Sequence, residues 1–209
     1  MYIPEDFCVT DLDELHECMQ QNSFATVVTE HEGKPFASHL PLLLDGGRGE
    51  WGTLAGHMAR ANPQWRDFAA GAEILVIFQG PHAYVSPAWY ENPVSVPTWN
   101  YVAVHAYGKA RIMDEAELEA LLPRMVDNYQ SADEPWRNNF PQDMRARILQ
   151  ALVGFEITLT GIEGKFKLSQ NRPLEEQRRV MAKLSQGAEI NNSKGVASQM
   201  GRRLKEECK

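Results

Sequence analysis

The chain has 209 residues and a formal net charge of −7, and its 43% hydrophobic and 23% charged residues are ordinary for a globular protein. This length can bury a core of its own, and no apolar stretch is long enough for a membrane-spanning helix. The N-terminal run MYIPEDFCVT has neither the basic region nor the apolar block of a signal peptide, so we expect a cytoplasmic protein. The three cysteines are scattered and predict neither a disulfide framework nor a cysteine zinc site.

The secondary structure is predicted from the spacing of apolar residues. Thr10 and Asp13 resemble a capping box, which predicts a first helix over roughly residues 11–21. Further helices are predicted over 57–70, 114–130 and 141–152. Six β-rich runs, punctuated by glycine and proline, predict strands at 24–30, 36–45, 50–57, 73–86, 100–113 and 153–169.

These elements predict the fold class. Mostly hairpin-length links without βαβ alternation indicate a mainly β fold with peripheral helices, arranged as an antiparallel barrel. We place a domain boundary near Arg172-Pro173, which gives a domain over 1–173 and a C-terminal helical extension over 174–209. Two helices are predicted in that extension.

Charge is distributed unevenly along the chain. From Lys165 onward there are 11 basic and 5 acidic residues, whereas the first 164 residues carry 10 basic and 23 acidic ones. A basic end on an acidic body is compatible with nucleic-acid contact, with a local site for an anionic ligand, or with a solvated helix. Composition alone does not separate the three.

The absence of several common motifs leaves the corresponding classes of site without support. The sequence has no P-loop, no GxGxxG, no GxSxG elbow and no HExxH motif. No two of its six histidines have ligand spacing on one element, so we expect no metal site. No catalytic acid or base can be singled out.

The run EGKFKLSQNR (163–172) is dense in side chains that bind anions. On a strand, Lys165 and Lys167 project from one face and Phe166 from the other, so two ammonium groups share one region. Either solvent screens them or an anion lies between them. Further donors follow where the strand ends, namely Gln170, Asn171 and Arg172.

Two further segments carry donors and flat rings. GHMARANPQW (56–65) places His57, Arg60 and Asn62 in a turn that opens a short helix, which favours a phosphate. VPTWNYVAVHAYG (96–108) is aromatic-rich, and such residues either form a core or interface or, as Trp99 and Asn100, edge a planar ring. The Ser38-His39 pair could edge a planar ring in the same way as Trp99 and Asn100. A ligand with a phosphate at one end and a flat heteroaromatic ring at the other describes flavin mononucleotide (FMN).

Six segments in order resemble the FMN-binding negative transcriptional regulators, the PaiB-like family. They span about residues 1 to 173 and are MYIPEDF, ASHLPLLLD, GHMARANPQW, GPHAYVSPAWY, VPTWNYVAVHAYG and IEGKFKLSQNRP. The resemblance implies a split β-barrel of the flavin-reductase and pyridoxamine-oxidase type, a homodimer and FMN as the cofactor. The candidate flavin contacts that it implies are Ser38, His39, His57, Arg60, Asn62, Trp99, Asn100, Lys165, Lys167, Gln170 and Asn171.

The family name implies a repressor of gene expression, and this requires a DNA contact. The C-terminal run SKGVASQMGRRLKEE could act as a recognition helix, although it lacks a clear helix-turn-helix partner. Its candidate phosphate contacts are Lys194, Arg202, Arg203 and Lys205. The alternatives are a flavin-dependent oxidoreductase that uses NAD(P)H without binding DNA, and a binding module whose loaded state alters a partner.

Overall fold

A computed structural model of the chain describes residues 1–68, 71–90, 95–130, 141–187 and 192–206, without the side chains of 142, 205 and 206. Within these ranges no helix has the length and apolarity that crossing a bilayer would need. The strands are β1 Cys8–Val9, β2 Phe24–His31, β3 Lys34–Pro41, β4 Leu43–Asp45, β5 Thr53–Ala59, β6 Glu73–Val85, β7 Thr98–Ile112 and β8 Leu152–Lys167. The α-helices are α1 Leu12–Gln21, α2 Trp65–Phe68, α3 Glu115–Tyr129, α4 Gln142–Ala151, α5 Leu174–Gln186 and α6 Ser193–Glu206.

The strands form one sheet in the order β3-β2-β6-β7-β8-β5-β4, and β1 pairs with β8. The pairings for which the register is defined are all antiparallel. The predicted class, mainly β with peripheral helices, is confirmed. The sheet has eight strands where six were predicted, because the 36–45 run divides at the buried Leu42 and β1 was not foreseen.

Two local predictions were wrong. The first helix is capped by Asp11, whose Oδ1 accepts a 2.9 Å hydrogen bond from the N–H of Glu14, and not by a Thr10–Asp13 box. The helix predicted over 57–70 is confined to the four residues of α2, because the apolar run before it continues β5 to Ala59. A strand and a short helix divide that segment.

The chain folds as two compact units, each with its own core. The sheet unit comprises His16–Phe78 and His105–Ile162. Its core includes Phe155, fully buried, with its ring centroid 5.0 Å from that of Phe68 in an edge-on contact. Arg48 and Arg111 both donate to the buried carboxylate of Glu156, at 3.0 and 2.7 Å.

The hairpin unit comprises Met1–Leu15, Gln79–Val104 and Glu163–Lys209. Helices α5 and α6 pack on each other here and bury Val180, Leu184, Val196 and Met200. Both helices were predicted, and they belong to the same compact unit as the end of β8. The domain boundary near residue 173 stays a prediction.

Candidate functional site

The predicted flavin contacts divide between the two units. The sheet unit holds Ser38, His39, His57, Arg60 and Asn62. The hairpin unit holds Trp99, Asn100, Lys165, Lys167, Gln170 and Asn171.

In the sheet unit, Asn62 joins the turn after β5 to β3. Its Nδ2 donates a 2.8 Å hydrogen bond to Oγ of Ser38, and its Oδ1 accepts a 3.1 Å bond from the N–H of Gln64. Because Ser38 accepts from Asn62, its own hydroxyl hydrogen is free to be donated to a ligand. The structure therefore brings Ser38 and Asn62 together, as a prepared hydrogen-bonding pair.

Gln64 anchors this turn and was missed by the sequence reasoning. It is fully buried, and its Nε2 donates to the carbonyl of Val27 at 2.9 Å and to Oγ1 of Thr29 at 3.1 Å. Its Oε1 is buried without a hydrogen-bond partner. The sequence signal was weak, since a glutamine next to a proline in a turn usually faces solvent.

The histidines of this unit lie in different surroundings. His39 is exposed on β3, and its Nδ1 lies 3.0 Å from Oγ1 of Thr26, which fixes the orientation of the ring. His57 is partly buried on β5, with its Nδ1 3.3 Å from Sδ of Met125. Burial lowers the pKa of His57, so its imidazole is neutral at neutral pH.

Arg60 has a structural role that the sequence did not reveal. Its Nε and Nη2 each donate a 2.7 Å hydrogen bond to the main-chain carbonyls of Gln150 and Leu152, where α4 ends and β8 begins. A guanidinium at a helix C-terminus satisfies carbonyls that have no partner within the helix. The α2 helix is too short to provide the phosphate-binding N-terminus that was predicted for this turn.

In the hairpin unit, Lys165 and Lys167 lie at the C-terminal end of strand β8, in different surroundings. Lys165 is 8% exposed, and its Nζ donates to the carbonyl of Tyr2 at 3.1 Å and lies 5.3 Å from the ring centroid of Tyr101. Lys167 is partly exposed and donates to Oγ1 of Thr98 and, at 2.8 Å, to the carbonyl of Trp99. All three oxygens are neutral.

The charge of Lys167 is therefore not compensated. In the part of the chain that the structure describes, neither Lys165 nor Lys167 forms an ion pair with a carboxylate. Burial, and then the charges of Lys165 and Arg172, lower the pKa of Lys167. Three cations thus share one region of the unit.

Asn100 is buried and contacts both the turn that follows β8 and helix α6. It is 1% exposed, and its Nδ2 donates to Oγ of Ser169 at 2.9 Å and lies 3.6 Å from Sδ of Met200 in α6. The next residue back, Trp99, is 44% exposed, and its ring meets that of Tyr84 edge-on at a centroid distance of 6.1 Å. Only the tryptophan of this pair presents a ring surface to a ligand.

Gln170 and Asn171 follow β8 in a tight turn. Gln170 closes the turn, since its Oε1 accepts a 2.7 Å hydrogen bond from the N–H of Leu168 and its Nε2 donates to the carbonyl of Phe166. Asn171 is exposed. The strand ends two residues earlier than predicted because Ser169 adopts a φ of 73°.

The helix that was predicted to contact DNA is α6, and one of its basic residues is engaged in contacts within the hairpin unit. Nη2 of Arg203 lies 2.5 Å from Oε1 of Glu14, and its guanidinium carbon lies 5.4 Å from the ring centroid of Phe166. The prediction that Arg203 is available for DNA phosphates was wrong, because this ion pair and ring contact hold it inside the unit. The side chain of Lys205 lies outside the described residues.

The donor set fits a phosphate monoester. The ammonium of Lys167 is partly buried, is bonded only to neutral oxygens and has two cations close by. A bound dianion would stabilise it, because the negative charge offsets the repulsion among the three cations. The exposed indole of Trp99, in the same unit, suits a planar ring. This chemistry is compatible with FMN.

Comparisons with known proteins agree with an FMN-binding protein. Residues 1–161 match the family described as "Putative FMN-binding domain". The chain is 43% identical to "Protease synthase and sporulation protein PAI 2" of Bacillus subtilis over 210 residues, which covers 99% of this chain and all of that protein. The resemblance stated from the sequence is confirmed, and the family match confirms FMN as the predicted cofactor.

Solved structures show the fold. The flavocytochrome Anf3 of Azotobacter vinelandii matches with a TM-score of 0.61 at 15% identity, covering 82% of this chain and 75% of that one. The FAD and heme binding protein of Mycobacterium smegmatis matches with a TM-score of 0.60 at 16% identity, covering 82% and 78%. The predicted antiparallel split barrel is confirmed as the fold class.

Proposed function

The chain belongs to the PaiB-type family of FMN-binding proteins, and from that premise we propose that it is an FMN-binding regulator of gene expression whose flavin phosphate is held at Lys167. The observation that carries this proposal is the uncompensated, partly buried ammonium of Lys167 beside two other cations. A bound flavin supplies one- and two-electron redox chemistry. The chain's own residues bind and orient it.

Lys167 is the direct phosphate contact in this proposal. Its two neutral acceptors, Oγ1 of Thr98 and the carbonyl of Trp99, hold the ammonium in place and leave its charge unneutralised. Lys165 is buried and acts through its charge, because its ammonium already donates to the carbonyl of Tyr2 and lies close to two tyrosine rings. Trp99 then offers its exposed ring to the flavin.

Within the sheet unit, a separate set of polar residues is proposed as candidate flavin contacts. Ser38 donates its hydroxyl hydrogen and is aligned by Asn62. His39 and His57 are further candidates, and the neutral imidazole of His57 can donate or accept a hydrogen bond. Arg60 holds the carbonyls of Gln150 and Leu152, so its contribution is to position the turn.

The regulatory role rests on the PAI 2 relative, whose name refers to protease synthesis and sporulation. If DNA is contacted through α6, its exposed basic residues Lys194 and Arg202 are the candidate contacts. The homodimer and the cytoplasmic location stay predictions.

One set of experiments tests the function. FMN-loaded protein and protein freed of flavin are each tested for retention of promoter DNA at several salt concentrations, and for oxidation of NAD(P)H. Flavin-dependent, salt-sensitive and sequence-selective DNA retention supports the regulator. NAD(P)H turnover without DNA retention would replace it by the oxidoreductase alternative.

A further inference from the structure

Arg172 occupies a fixed position between β8 and α5. Its backbone N–H donates to the carbonyl of Ser169 at 2.9 Å, and its carbonyl accepts a 2.9 Å hydrogen bond from Nε2 of Gln177. Both bonds involve the main chain of Arg172. The position of its Cα therefore does not depend on its side chain.

The guanidinium of Arg172 is placed but not satisfied. Its central carbon lies 4.5 Å from the ring centroid of Tyr90, and its Nη1 lies 3.8 Å from Oε2 of Glu176, which is beyond hydrogen-bonding distance. Within the described part of the chain, this guanidinium makes no hydrogen bond. A side chain that is only 28% exposed thus holds five unused donors in a rigid fork.

Glu176 shows the same incompleteness from the other side. It is 6% exposed, and its Oε2 is buried without a hydrogen-bond partner. Buried polar atoms in folded proteins nearly always have a partner, and the guanidinium of Arg172 at 3.8 Å attracts this oxygen without forming a hydrogen bond to it. The long ion pair holds Arg172 in place and leaves its donors free.

The surrounding charge indicates which kind of ligand the unused donors of Arg172 would bind. Lys167 is the last residue of β8, and the turn closed by the hydrogen bond from the N–H of Arg172 to the carbonyl of Ser169 follows directly, so the two cations lie at the same end of the strand. Arg172 and Lys165 both lower the pKa of the Lys167 ammonium. Three cations and one carboxylate leave two positive charges. A phosphate monoester carries between one and a half and two negative charges at neutral pH, and its oxygens match the guanidinium fork.

We infer that Arg172 is the bidentate phosphate ligand of this site and determines its preference for a flavin with a terminal phosphate over a flavin without one. Tyr90 holds the plane of the guanidinium, and Glu176 keeps it in place in the absence of ligand. This inference rests on the proposed binding of FMN at Lys167. It assigns a defined role to Arg172, which the sequence analysis noted only as a donor and did not include among the candidate flavin contacts.

The test compares FMN with riboflavin, which lacks the phosphate, by titrating each into flavin-free protein. Arg172→Gln is expected to weaken FMN binding roughly 10- to 100-fold, the range for lost charged hydrogen bonds, and to leave riboflavin binding unchanged. Arg172→Lys keeps the positive charge but lacks the guanidinium fork. Its FMN affinity should therefore lie between that of the parent and that of Arg172→Gln. Arg178→Gln is the matched control, because Arg178 is exposed on α5 and pairs with Glu175.

Arg172→Gln alone leaves Glu176 buried without its counter-charge, which can unfold the hairpin unit. Glu176→Gln and the double variant Arg172→Gln/Glu176→Gln avoid that outcome. We expect Glu176→Gln to bind FMN more tightly than the parent, since the competing carboxylate is gone, and the folded double variant to lose FMN affinity and keep riboflavin affinity.

Three results would overturn the inference in distinguishable ways. A folded double variant that binds FMN as tightly as the parent, while Lys167→Ala weakens binding, would remove Arg172 from the site and leave the proposed function standing. A parent protein that binds no FMN would overturn both. Equal losses of FMN and riboflavin affinity would show that Arg172 acts on structure and not on the phosphate.

Discussion

The hydroxyl of Ser169 and the side-chain amide of Asn100 satisfy each other inside the hairpin unit. Nδ2 of Asn100 donates to Oγ of Ser169 at 2.9 Å, and the hydroxyl donates back to Oδ1 at 3.2 Å. Both residues are buried, and Ser169 holds a left-handed φ of 73°. This pair fixes the end of β8, where Lys167 and Arg172 project.

Substituting either partner should destabilise the protein. Asn100→Ala leaves a buried hydroxyl with no partner, at a cost of about 1–3 kcal/mol in the free energy of unfolding. Ser169→Gly and Ser169→Ala both remove the hydroxyl, but only glycine relieves the left-handed backbone, so the glycine variant should be more stable by about 1 kcal/mol. Urea unfolding measures all three, and equal midpoints for the two Ser169 variants would contradict the backbone argument.

The close approach of β7 and β8 requires a glycine at position 108. A Cβ built there would lie 2.5 Å from the carbonyl oxygen of Thr158 and 2.7 Å from Cγ2 of Ile157. Gly108→Ala should therefore destabilise the sheet unit by about 1–3 kcal/mol, the usual cost of overpacking. Gly161→Ala is the control, because nothing lies within 4 Å of its Cβ position, and similar thermal midpoints for the two variants would refute the assignment.

The ion-pair network of the sheet unit should make stability depend on pH in the acidic range. Hydrogen bonds from Arg48 and Arg111 to Glu156 lower the pKa of that carboxyl below its ordinary 4.5. The folded pKa lies below the unfolded one, so the stabilisation is complete above pH about 4.5 and is lost as the pH falls through the folded pKa.

Glu156→Gln tests this directly. It should cost about 1–3 kcal/mol at pH 7, since two guanidinium groups lose a charged acceptor. The difference from the parent should shrink as the pH falls through the folded pKa of Glu156. Unfolding measured from pH 3 to 7 provides the comparison, and a difference that stays constant over that range would contradict it.

His57 should remain neutral in the folded protein. Burial lowers its pKa from the ordinary 6.5, and a lowered folded pKa means that stability is complete above 6.5 and falls as the pH drops below it. The imidazole proton resonances followed by NMR should titrate below pH 6.5. A midpoint at or above 6.5 would show that a partner stabilises the charged form.

The sequence predicted the elements better than it predicted the local contacts. Alternation of apolar residues located every long strand, and a family-specific set of segments identified the cofactor. The periodic pattern could not show that Arg60 would bond the carbonyls of Gln150 and Leu152, or that Asn100 would be buried under α6, because both contacts join residues far apart in the chain. Gln64 was overlooked as a site residue for the same reason. Arg172 was noted as a donor at the end of the strand but was not included among the candidate flavin contacts.

The sequence also misjudged Lys165 and Lys167 as equivalent. Alternation places both on one face of β8, as predicted, but only the contacts of Tyr2 and Tyr101 show that Lys165 is already enclosed. The tyrosine at position 2 lies at the opposite end of the chain. No pattern local to residues 163–172 contains that information.

The central claim is that Lys167 holds the flavin phosphate, and FMN titration of flavin-free protein, followed by flavin fluorescence, tests it most directly. The parent should bind saturably, Lys167→Ala should lose about 1–3 kcal/mol of binding free energy, and Lys109→Ala, which removes an exposed lysine of β7, should bind like the parent. A Lys167→Ala variant that binds FMN as tightly as the parent would contradict the account.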